Sequence, residues 1–158
     1  MKLAELLSPS QILLDLKADE SWAAIVELVD CLVATGTLPG ELRAEVLEML
    51  KTREDLVSTG IGLGVAIPHA FSDRIDQVVA VFGRSTAGID FDALDHLPVN
   101  FIILFIVPQS NYPLHLRTLS AIAKMFTHSE VRRRLAAAET RADVLTILQA
   151  KQSRSAAS

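Results

Sequence analysis

The sequence predicts an α/β sandwich in which helices cover both faces of one β-sheet. Half of the 158 residues are hydrophobic and 22% are charged, so one globular core is expected. Residues 99–107 form a long apolar run ended by a proline, which is typical of a central strand buried on both faces. Helical spacing recurs towards both ends of the chain, which favours the sandwich. The length fits a single domain at 1–150, with a flexible C-terminal tail at 151–158.

Each element of the sandwich has a local signal in the sequence. The apolar residues of 21–34 recur at helical spacing, with Ser21 as the expected N-cap. Thr140 and Asp143 have the spacing of a capping box. The expected elements, in chain order, are a strand at 11–16, helices at 21–34 and 41–52, strands at 64–68, 77–84 and 99–107 with a polar connection at 86–98, and helices at 114–126, 129–139 and 140–150.

Composition and charge argue against several classes of function. The formal net charge is -4 and the densest basic segment, Arg132–Arg134, is short, so no nucleic-acid partner is expected. The single cysteine, Cys31, allows no internal disulfide and is expected in the core of a protein from a reducing compartment. No apolar run is long enough to span a bilayer, and the N-terminus lacks the features of a signal peptide. A cytoplasmic protein without direct membrane insertion is therefore expected.

The glycine-rich stretch STGIGLGVAIPHA, residues 58–70, is the most distinctive segment. A P-loop needs a lysine after its glycines, and a dinucleotide-binding loop needs G-x-G-x-x-G before a helix. Neither pattern is present, so nucleotide binding is not expected, and turns are the simplest explanation of the glycines. The four histidines form no zinc-binding motif. His96 and His128 are expected to be ordinary surface residues.

The other two histidines stand in positions that suit phosphoryl chemistry. His69 follows Pro68 at the end of an expected buried strand, and ligand sites in α/β folds gather at strand ends. His115 follows Pro113 in the expected first turn of a helix, where the helix N-terminus disfavours a cationic imidazole and favours a nearby anion. One imidazole could act as a nucleophile and the other as a donor, with Arg53 adding a guanidinium for phosphate. From spacing alone, a core histidine and a cap-region histidine remain the alternative.

The segment REDLVSTGIGLGVAIPHA, residues 53–70, resembles the active-site signature of the fructose/mannitol class of enzyme IIA proteins. These proteins belong to the phosphoenolpyruvate:sugar phosphotransferase system, and the class includes nitrogen-regulatory enzyme IIA proteins. The similarity continues through GIDFDALDHLPVNFIILFIVP and HLRTLSAIAKMF, and covers about residues 6–148. The residues that match the class pattern are Arg53, Glu54, Ser58, Thr59, Gly60, Gly62, Gly64, Ala66, Pro68 and His69.

The resemblance implies a fold, a reaction and a partner. Residues 1–150 would form a single enzyme IIA domain, a three-layer sandwich with a mixed, mostly parallel sheet. His69 would accept a phosphoryl group from a histidine phosphocarrier protein (HPr or its nitrogen-branch paralogue), and His115 would stabilise that group. No metal or organic cofactor would be needed, because positioning and fixed dipoles supply the catalysis. The residues implied to hold the phosphate or the partner are Arg53, Ser58, Thr59, Gly60 and Pro68.

The sequence departs from the class pattern at two places. Many members carry Gly-Lys or Gly-Arg after the acceptor histidine, whereas this chain has Ala70 and Phe71. The turn before the Pro-Val pair often contains a glycine, whereas this chain has His96 and Leu97. We therefore expect an apolar docking surface around His69 with Phe71 at its rim, and an altered carrier affinity in Phe71→Lys.

Three functions remain open at this point. The first is a phosphorylation-dependent regulator of the nitrogen-related type, which the absence of a fused IIB, IIC or phosphocarrier domain in this chain slightly favours. The second is a transport component that passes phosphate to a IIB domain for the uptake of fructose, mannitol or a similar sugar. The third is a protein-binding module that is never phosphorylated, which an intact acceptor motif disfavours. The sequence identifies neither the sugar or target protein nor the imidazole nitrogen that is phosphorylated.

Overall fold

The computed structural model describes residues 3–56, 58–110 and 112–157, with side chains as far as Gln149. These residues form a six-stranded mixed sheet with helices on both faces. The helices are α1 (Leu3–Leu6), α2 (Ser21–Ala34), α3 (Arg43–Leu56), α4 (Tyr112–Met125), α5 (Ser129–Ala137) and α6 (Arg141–Ala157), with short 3-10 turns at Pro9–Gln11 and Gly40–Leu42. The strands are β1 (Ile12–Leu13), β2 (Gly60–Gly62), β3 (Val65–Ala66), β4 (His69–Ser72), β5 (Val79–Ile89) and β6 (Val99–Pro108).

Strand β6 lies at the centre of the sheet, as its apolar run predicts. The strand order is β1-β5-β6-β3-β2. Strand β4 pairs with β6 on the same side as β3, further along β6. The pairings of β1 with β5, of β3 with β6 and of β4 with β6 are parallel, whereas β2–β3 and β5–β6 are antiparallel. The sheet is therefore mixed, with three parallel pairings of five.

The alternation of side chains along β6 divides the core into two layers. Phe101, Ile103 and Phe105 pack in one cluster with α1, α4, α5 and α6. Ile102 and Ile106 pack in a second cluster with α2 and α3. Because successive strand residues point to opposite faces, both faces are covered, and the three-layer α/β sandwich is confirmed.

Several boundaries differ from the expectations. Helix α2 spans the predicted residues, but its N-cap is Glu20, and Ser21 is the first helical residue. Strand β5 extends into the expected polar connection and ends at Ile89. It does so because its pairing with β6 resumes at Ile89 after an irregularity that begins at Arg84. The glycine stretch forms two strands, β2 and β3, where one was expected. Helix α6 continues to Ala157, so the expected tail at 151–158 begins with helical backbone; residues 151–157 contain no glycine or proline to end a helix.

The capping box at the start of α6 is confirmed. Thr140 Oγ1 accepts a hydrogen bond from the backbone N–H of Asp143 at 3.1 Å, and Asp143 Oδ2 accepts one from the backbone N–H of Thr140 at 3.1 Å. Bonds from the N–H groups of Glu139 and Thr140 lower the pKa of the Asp143 carboxyl group. This end of the helix is therefore encoded in the local sequence.

Arg84 is a buried cation that ties the sheet to the end of α5. Its Nε donates to Leu14 O at 2.9 Å, and its Nη1 donates to Leu135 O at 2.9 Å and to Ala138 O at 2.6 Å. Leu135 O also accepts from Ala138 N at 3.4 Å, so Arg84 adds a second donor there, and a cation is favourable at a helix C-terminus. The Asp15 carboxylate lies 3.9 Å from Nη2, but it is largely exposed.

We expect Arg84→Met to lower the free energy of unfolding by about 3 kcal/mol, because it leaves buried carbonyl groups without donors. The measurement is urea denaturation of the variant and the parent protein. Arg133→Met, which changes an exposed arginine of α5, is the control and should stay within about 0.5 kcal/mol of the parent. Equal effects of the two substitutions would contradict this account of Arg84.

Candidate functional site

Pro68 and His69 lie where the strand alongside β6 is interrupted. Val65 and Ala66 pair with Phe101 and Ile102, and the pairing resumes at His69 opposite Phe105. Between the two strands, the carbonyl of Pro68 accepts a hydrogen bond from Phe105 N at 3.0 Å. Proline has no N–H to donate, and because the N–H and C=O of one strand residue face the same neighbour, the bond that is missing is one to β6. The carbonyl keeps the chain in the sheet, and on the outer side β2 pairs only with β3, so no described strand pairs with the edge beside His69.

The imidazole of His69 is half-buried and points towards the face covered by α4. His69 shares the alternation of Phe71, whereas Ala70 is buried on the face of α2 and α3. The side chain of His69 is therefore held by the fold and still reaches the surface. A small residue at position 70 fits this packing against the second core layer.

One nitrogen of His69 is committed to the protein. His69 Nδ1 lies 2.9 Å from the carbonyl oxygen of Ile67. A carbonyl oxygen can only accept, so Nδ1 carries the proton in this contact. A neutral imidazole has one protonated nitrogen, which leaves the lone pair on Nε2. The ring therefore presents a nucleophilic Nε2.

Aromatic contacts connect His69 to the start of α4. The ring of Phe71 packs edge-on against His69 and against Tyr112, with centroid distances of 6.1 and 5.7 Å. His115 lies three residues after Tyr112 in α4 and is half-buried. Residues three apart share a helix face, so the face that meets Phe71 also carries His115. The expected position of His115 in the first turn is confirmed.

The residues before the glycines hold each other in place. Ser58 Oγ donates to the carbonyl of Phe91 and accepts from Gly60 N at 3.0 Å. The hydroxyl of Thr59 donates to Glu54 Oε1. A Cβ at Gly60 would lie only 2.9 Å from the Cβ of Ala93, so glycine permits a close approach there. The structure gives these groups internal partners, and their contact with phosphate or a partner stays a prediction.

Arg53 lies in the last turn of α3 and is half-buried.

A carboxylate that sequence analysis missed joins two loops beside these residues. Asp95 Oδ2 accepts from Leu63 N at 2.8 Å, and Oδ1 accepts from Leu97 N at 3.1 Å. These backbone hydrogen bonds lower the pKa of Asp95. His96 has φ of 60°, a region that glycine enters more readily, which explains why a glycine suits this turn. The tendency of aspartate to bond to nearby backbone N–H groups is the signal that could have indicated it.

Two kinds of feature are absent from residues 3–56, 58–110 and 112–157. These residues contain no helix that is both long enough and apolar enough to cross a bilayer. They also contain no group of three or more His, Cys, Asp or Glu side chains arranged to bind a metal ion.

The fold and the available imidazole nitrogen together define an α/β domain suited to group transfer through a histidine. A family model described as "Phosphoenolpyruvate-dependent sugar phosphotransferase system, EIIA 2" matches residues 5–151, and the chain belongs to this family. Its members are phosphotransferases that accept and pass phosphoryl groups on histidine. The resemblance found in the sequence is therefore confirmed.

Relatives of this chain carry both regulatory and transport names. Over 125 residues it is 37% identical to the fructose-specific EIIA component of the phosphotransferase system of Haloferax volcanii, covering 79% of this chain and 80% of that protein. The crystal structure of nitrogen regulatory protein IIA-Ntr from Neisseria meningitidis matches with a TM-score of 0.84 and 34% identity, covering 92% and 98% of the two chains. A complex of enzyme IIA mannitol and phosphorylated enzyme IIB mannitol from Escherichia coli shares the fold at 22% identity and a TM-score of 0.76, covering 91% and 97%.

We expect neutral His69 to carry its proton on Nδ1, because its partner, Ile67 O, can only accept a hydrogen bond. The measurement is long-range ¹H–¹⁵N NMR of the imidazole rings at a pH where they are neutral. His128, an exposed imidazole, serves as the internal reference. A His69 ring protonated mainly on Nε2 would contradict the assignment.

Proposed function

We propose that this protein accepts a phosphoryl group at Nε2 of His69 from a histidine phosphocarrier protein, HPr or its nitrogen-branch paralogue, and regulates a target protein in the cytoplasm. The observation that supports the proposal most directly is the contact between His69 Nδ1 and Ile67 O at 2.9 Å. It leaves Nε2 as the only lone pair of the ring, on a half-buried side chain that a partner protein can reach.

The proposed transfer exchanges one N–P bond for another. The Nε2 lone pair of His69 attacks the phosphorus atom, and the N–P bond of the donor phosphohistidine breaks with its electron pair returning to the donor ring. The His69 ring gains positive charge during the attack. The carbonyl of Ile67, which holds the Nδ1 proton, stabilises that charge as it develops. No proton has to leave Nδ1 in this step.

Other residues in the proposal hold the phosphoryl group and the ring. His115, in the first turn of α4, is the proposed donor to the phosphoryl oxygens, and the helix N-terminus favours the same anion. Arg53 is the proposed guanidinium contact for the phosphate or the partner. Pro68 sets the backbone entry to His69, and no metal or organic cofactor takes part.

An apolar rim beside His69 suits the docking of a protein carrier. Tyr112, Leu114 and Leu116 are exposed at the start of α4, and Phe71 lies half-buried between Tyr112 and His69. Exposed apolar patches of this kind mark interaction sites. Phe71 packs against both rings, so Phe71→Lys would disturb the site as well as the surface, and Leu114 is the cleaner position to change.

The regulatory role rests on the likeness to IIA-Ntr of Neisseria meningitidis. Phosphorylation would add roughly -1.5 to -2 charges at the rim, and a charge change of that size can turn protein binding on or off. The second candidate is a transport role, in which the phosphoryl group passes on to a IIB domain. The Haloferax volcanii relative, which is fructose-specific, favours that candidate.

We expect one acid-labile phosphoryl group on the wild-type protein after incubation with phosphoenolpyruvate, enzyme I and the phosphocarrier, measured by intact-mass spectrometry. His69→Ala should take up none, because the acceptor nitrogen is gone. His115→Ala should be phosphorylated about a hundredfold more slowly, since it lacks a donor to the phosphoryl oxygens. His128→Ala, at an exposed histidine, should behave as the wild type.

Phosphorylation that persists in His69→Ala would place the acceptor elsewhere. An unmodified wild-type protein with an active carrier would instead indicate a binding module that is never phosphorylated. Transfer from the phosphorylated protein to a IIB domain, followed in the same assay, separates the transport role from the regulatory one.

A further inference from the structure

One hydrogen bond expected at the end of the β2–β3 pair goes to a different acceptor. Thr59 and Ile67 face each other next to the paired residues Gly60 and Ala66, and Ile67 N donates to Thr59 O at 3.0 Å. Such an antiparallel pair normally exchanges two hydrogen bonds, the second from Thr59 N to Ile67 O. Here Thr59 N donates to Glu54 Oε2 at 3.3 Å, and the Thr59 hydroxyl donates to Glu54 Oε1.

This change of acceptor affects the hydrogen bond of the His69 imidazole. Because Glu54 takes the N–H of Thr59, His69 Nδ1 does not have to share the carbonyl of Ile67 with a ladder donor, and Nδ1 lies 2.9 Å from that oxygen. We propose that Glu54 is a positioning residue for His69, which keeps the Ile67 carbonyl available and thereby keeps the lone pair on Nε2. The effect on transfer rate rests on the proposed function, whereas the effect on the tautomer does not.

The position of Glu54 in its helix supports this role. Glu54 lies in the last turn of α3, where the helix dipole disfavours a negative charge. Helix stability therefore does not explain a carboxylate there. The two hydrogen bonds from Thr59 do, and the one from its backbone N–H takes the donor that the ladder would otherwise direct to the Ile67 carbonyl.

The test compares Glu54→Ala and Glu54→Gln by ¹H–¹⁵N NMR of the His69 ring and by phosphoryl-transfer rate. In Glu54→Ala, Thr59 N–H should close the ladder onto Ile67 O and compete there with His69 Nδ1, so the ring should shift towards the Nε2–H tautomer. Transfer should then slow about tenfold or more, because the lone pair no longer faces the donor. Glu54→Gln should largely restore both readouts, because its amide oxygen can accept from Thr59. Glu48→Ala, at an exposed glutamate of the same helix, is the matched control.

The two readouts keep this proposal separate from the proposed function. A His69 tautomer that stays unchanged in Glu54→Ala overturns the positioning role, even if the variant is less stable. A loss of stability in Glu54→Gln equal to that in Glu54→Ala, with neither tautomer changed, overturns it as well. A tautomer that moves in Glu54→Ala supports it, even if the wild-type protein accepts no phosphoryl group and the proposed function fails.

A second inference rests on a different observation, an apolar surface towards the start of β6. The turn at Gly62–Gly64 precedes Val65, which pairs with Phe101, whereas His69 pairs with Phe105. Four residues at about 3.3 Å each separate the two positions by about 13 Å along the strand. Around this turn lies an apolar surface, which we call the distal surface. Its exposed side chains are Leu56, Ile61, Leu63, Leu94 and Leu97.

The distal surface surrounds a cleft and is held by strained loops. The cleft has a volume of about 640 Å³, and Leu56, Ile61 and Leu94 line it together with Trp22 and Phe91. Asp95 joins the two loops through Leu63 N and Leu97 N. The three non-glycine residues with positive φ in the described chain, Leu63, Asp92 and His96, all lie in these loops. Backbone strain of this kind gathers at functional sites.

Charge selects the kind of partner that fits. Asp55, Asp90 and Asp92 line the cleft, Asp95 lies beside them, and the cation of Lys51 is already paired with Asp55 at 3.2 Å. A second copy of this chain would bring the same carboxylates together, which is unfavourable. We infer that the distal surface docks a segment of another protein whose apolar anchor side chains are flanked by lysine or arginine. Glu54, Ser58 and Gly60 also line the cleft, so a docked segment would lie against residues that are connected with the proposed His69 site.

The test uses a synthetic peptide with leucine and tryptophan anchors flanked by lysine and arginine, and a twin in which glutamate replaces each basic residue. Amide-shift mapping on ¹⁵N-labelled protein should place the basic peptide on the distal surface, with affinity falling as salt rises. The acidic twin should bind at least about tenfold more weakly. Leu94→Ser should weaken binding about tenfold, whereas Leu114→Ser should not. Both leucines are exposed, at 85% and 59%.

Several outcomes would overturn the second inference. They are absence of binding, equal binding of the two peptides, shifts confined to the start of α4, and an affinity unchanged by Leu94→Ser. Self-association of the free protein that Leu94→Ser abolishes, measured by analytical ultracentrifugation, would assign the surface to a second copy and overturn it too. An unchanged melting temperature of Leu94→Ser shows that lost binding is not lost folding.

Discussion

The break in the ladder at Pro68, next to the point where β2 ends, is the constraint on which the site depends. The strand alongside β6 loses one hydrogen bond to β6 at a residue that has no donor, so it divides into β3 and β4 on either side of Pro68. The carbonyl of Pro68 still accepts from Phe105 N, which keeps the chain in register with β6. Strand β2 covers only the first part of this edge. The open part is where an imidazole can lie against the strand and remain reachable from outside.

The elements that the sequence predicted well are those whose signals are local. The long apolar run of β6 has to lie in the middle of the sheet, because only a central strand is buried on both faces over that length. The bounds of α2 follow from helical spacing, and the capping box of α6 needs only Thr140 and Asp143. His69 and His115 also depend on local signals, since each follows a proline that fixes the backbone before it.

Elements that depend on distant partners could not be predicted in this way. Strand β5 extends to Ile89 only because Val99 pairs with it after an irregularity, and polar residues in between concealed that continuation. Gly60 resembles a turn glycine, yet the reason for it is the close approach of Ala93. The resemblance implied Ser58 and Thr59 as phosphate or partner contacts, and the bonds of their hydroxyl groups to Phe91 O and Glu54 were not predicted. The spacing of residues along the chain does not predict these contacts.

Half-burial of the imidazole is what allows positioning and access to coexist. A group that is transferred between two proteins must meet its acceptor atom at the surface, where side chains are usually mobile, yet efficient transfer needs the reacting atoms held in line. In this protein the ring is fixed from behind, through Nδ1 and the Ile67 carbonyl, and from one side, through the edge of Phe71. Neither contact uses Nε2. The fold therefore orients the ring without covering the atom that has to react, and the donor protein has only to supply the opposite side of the site.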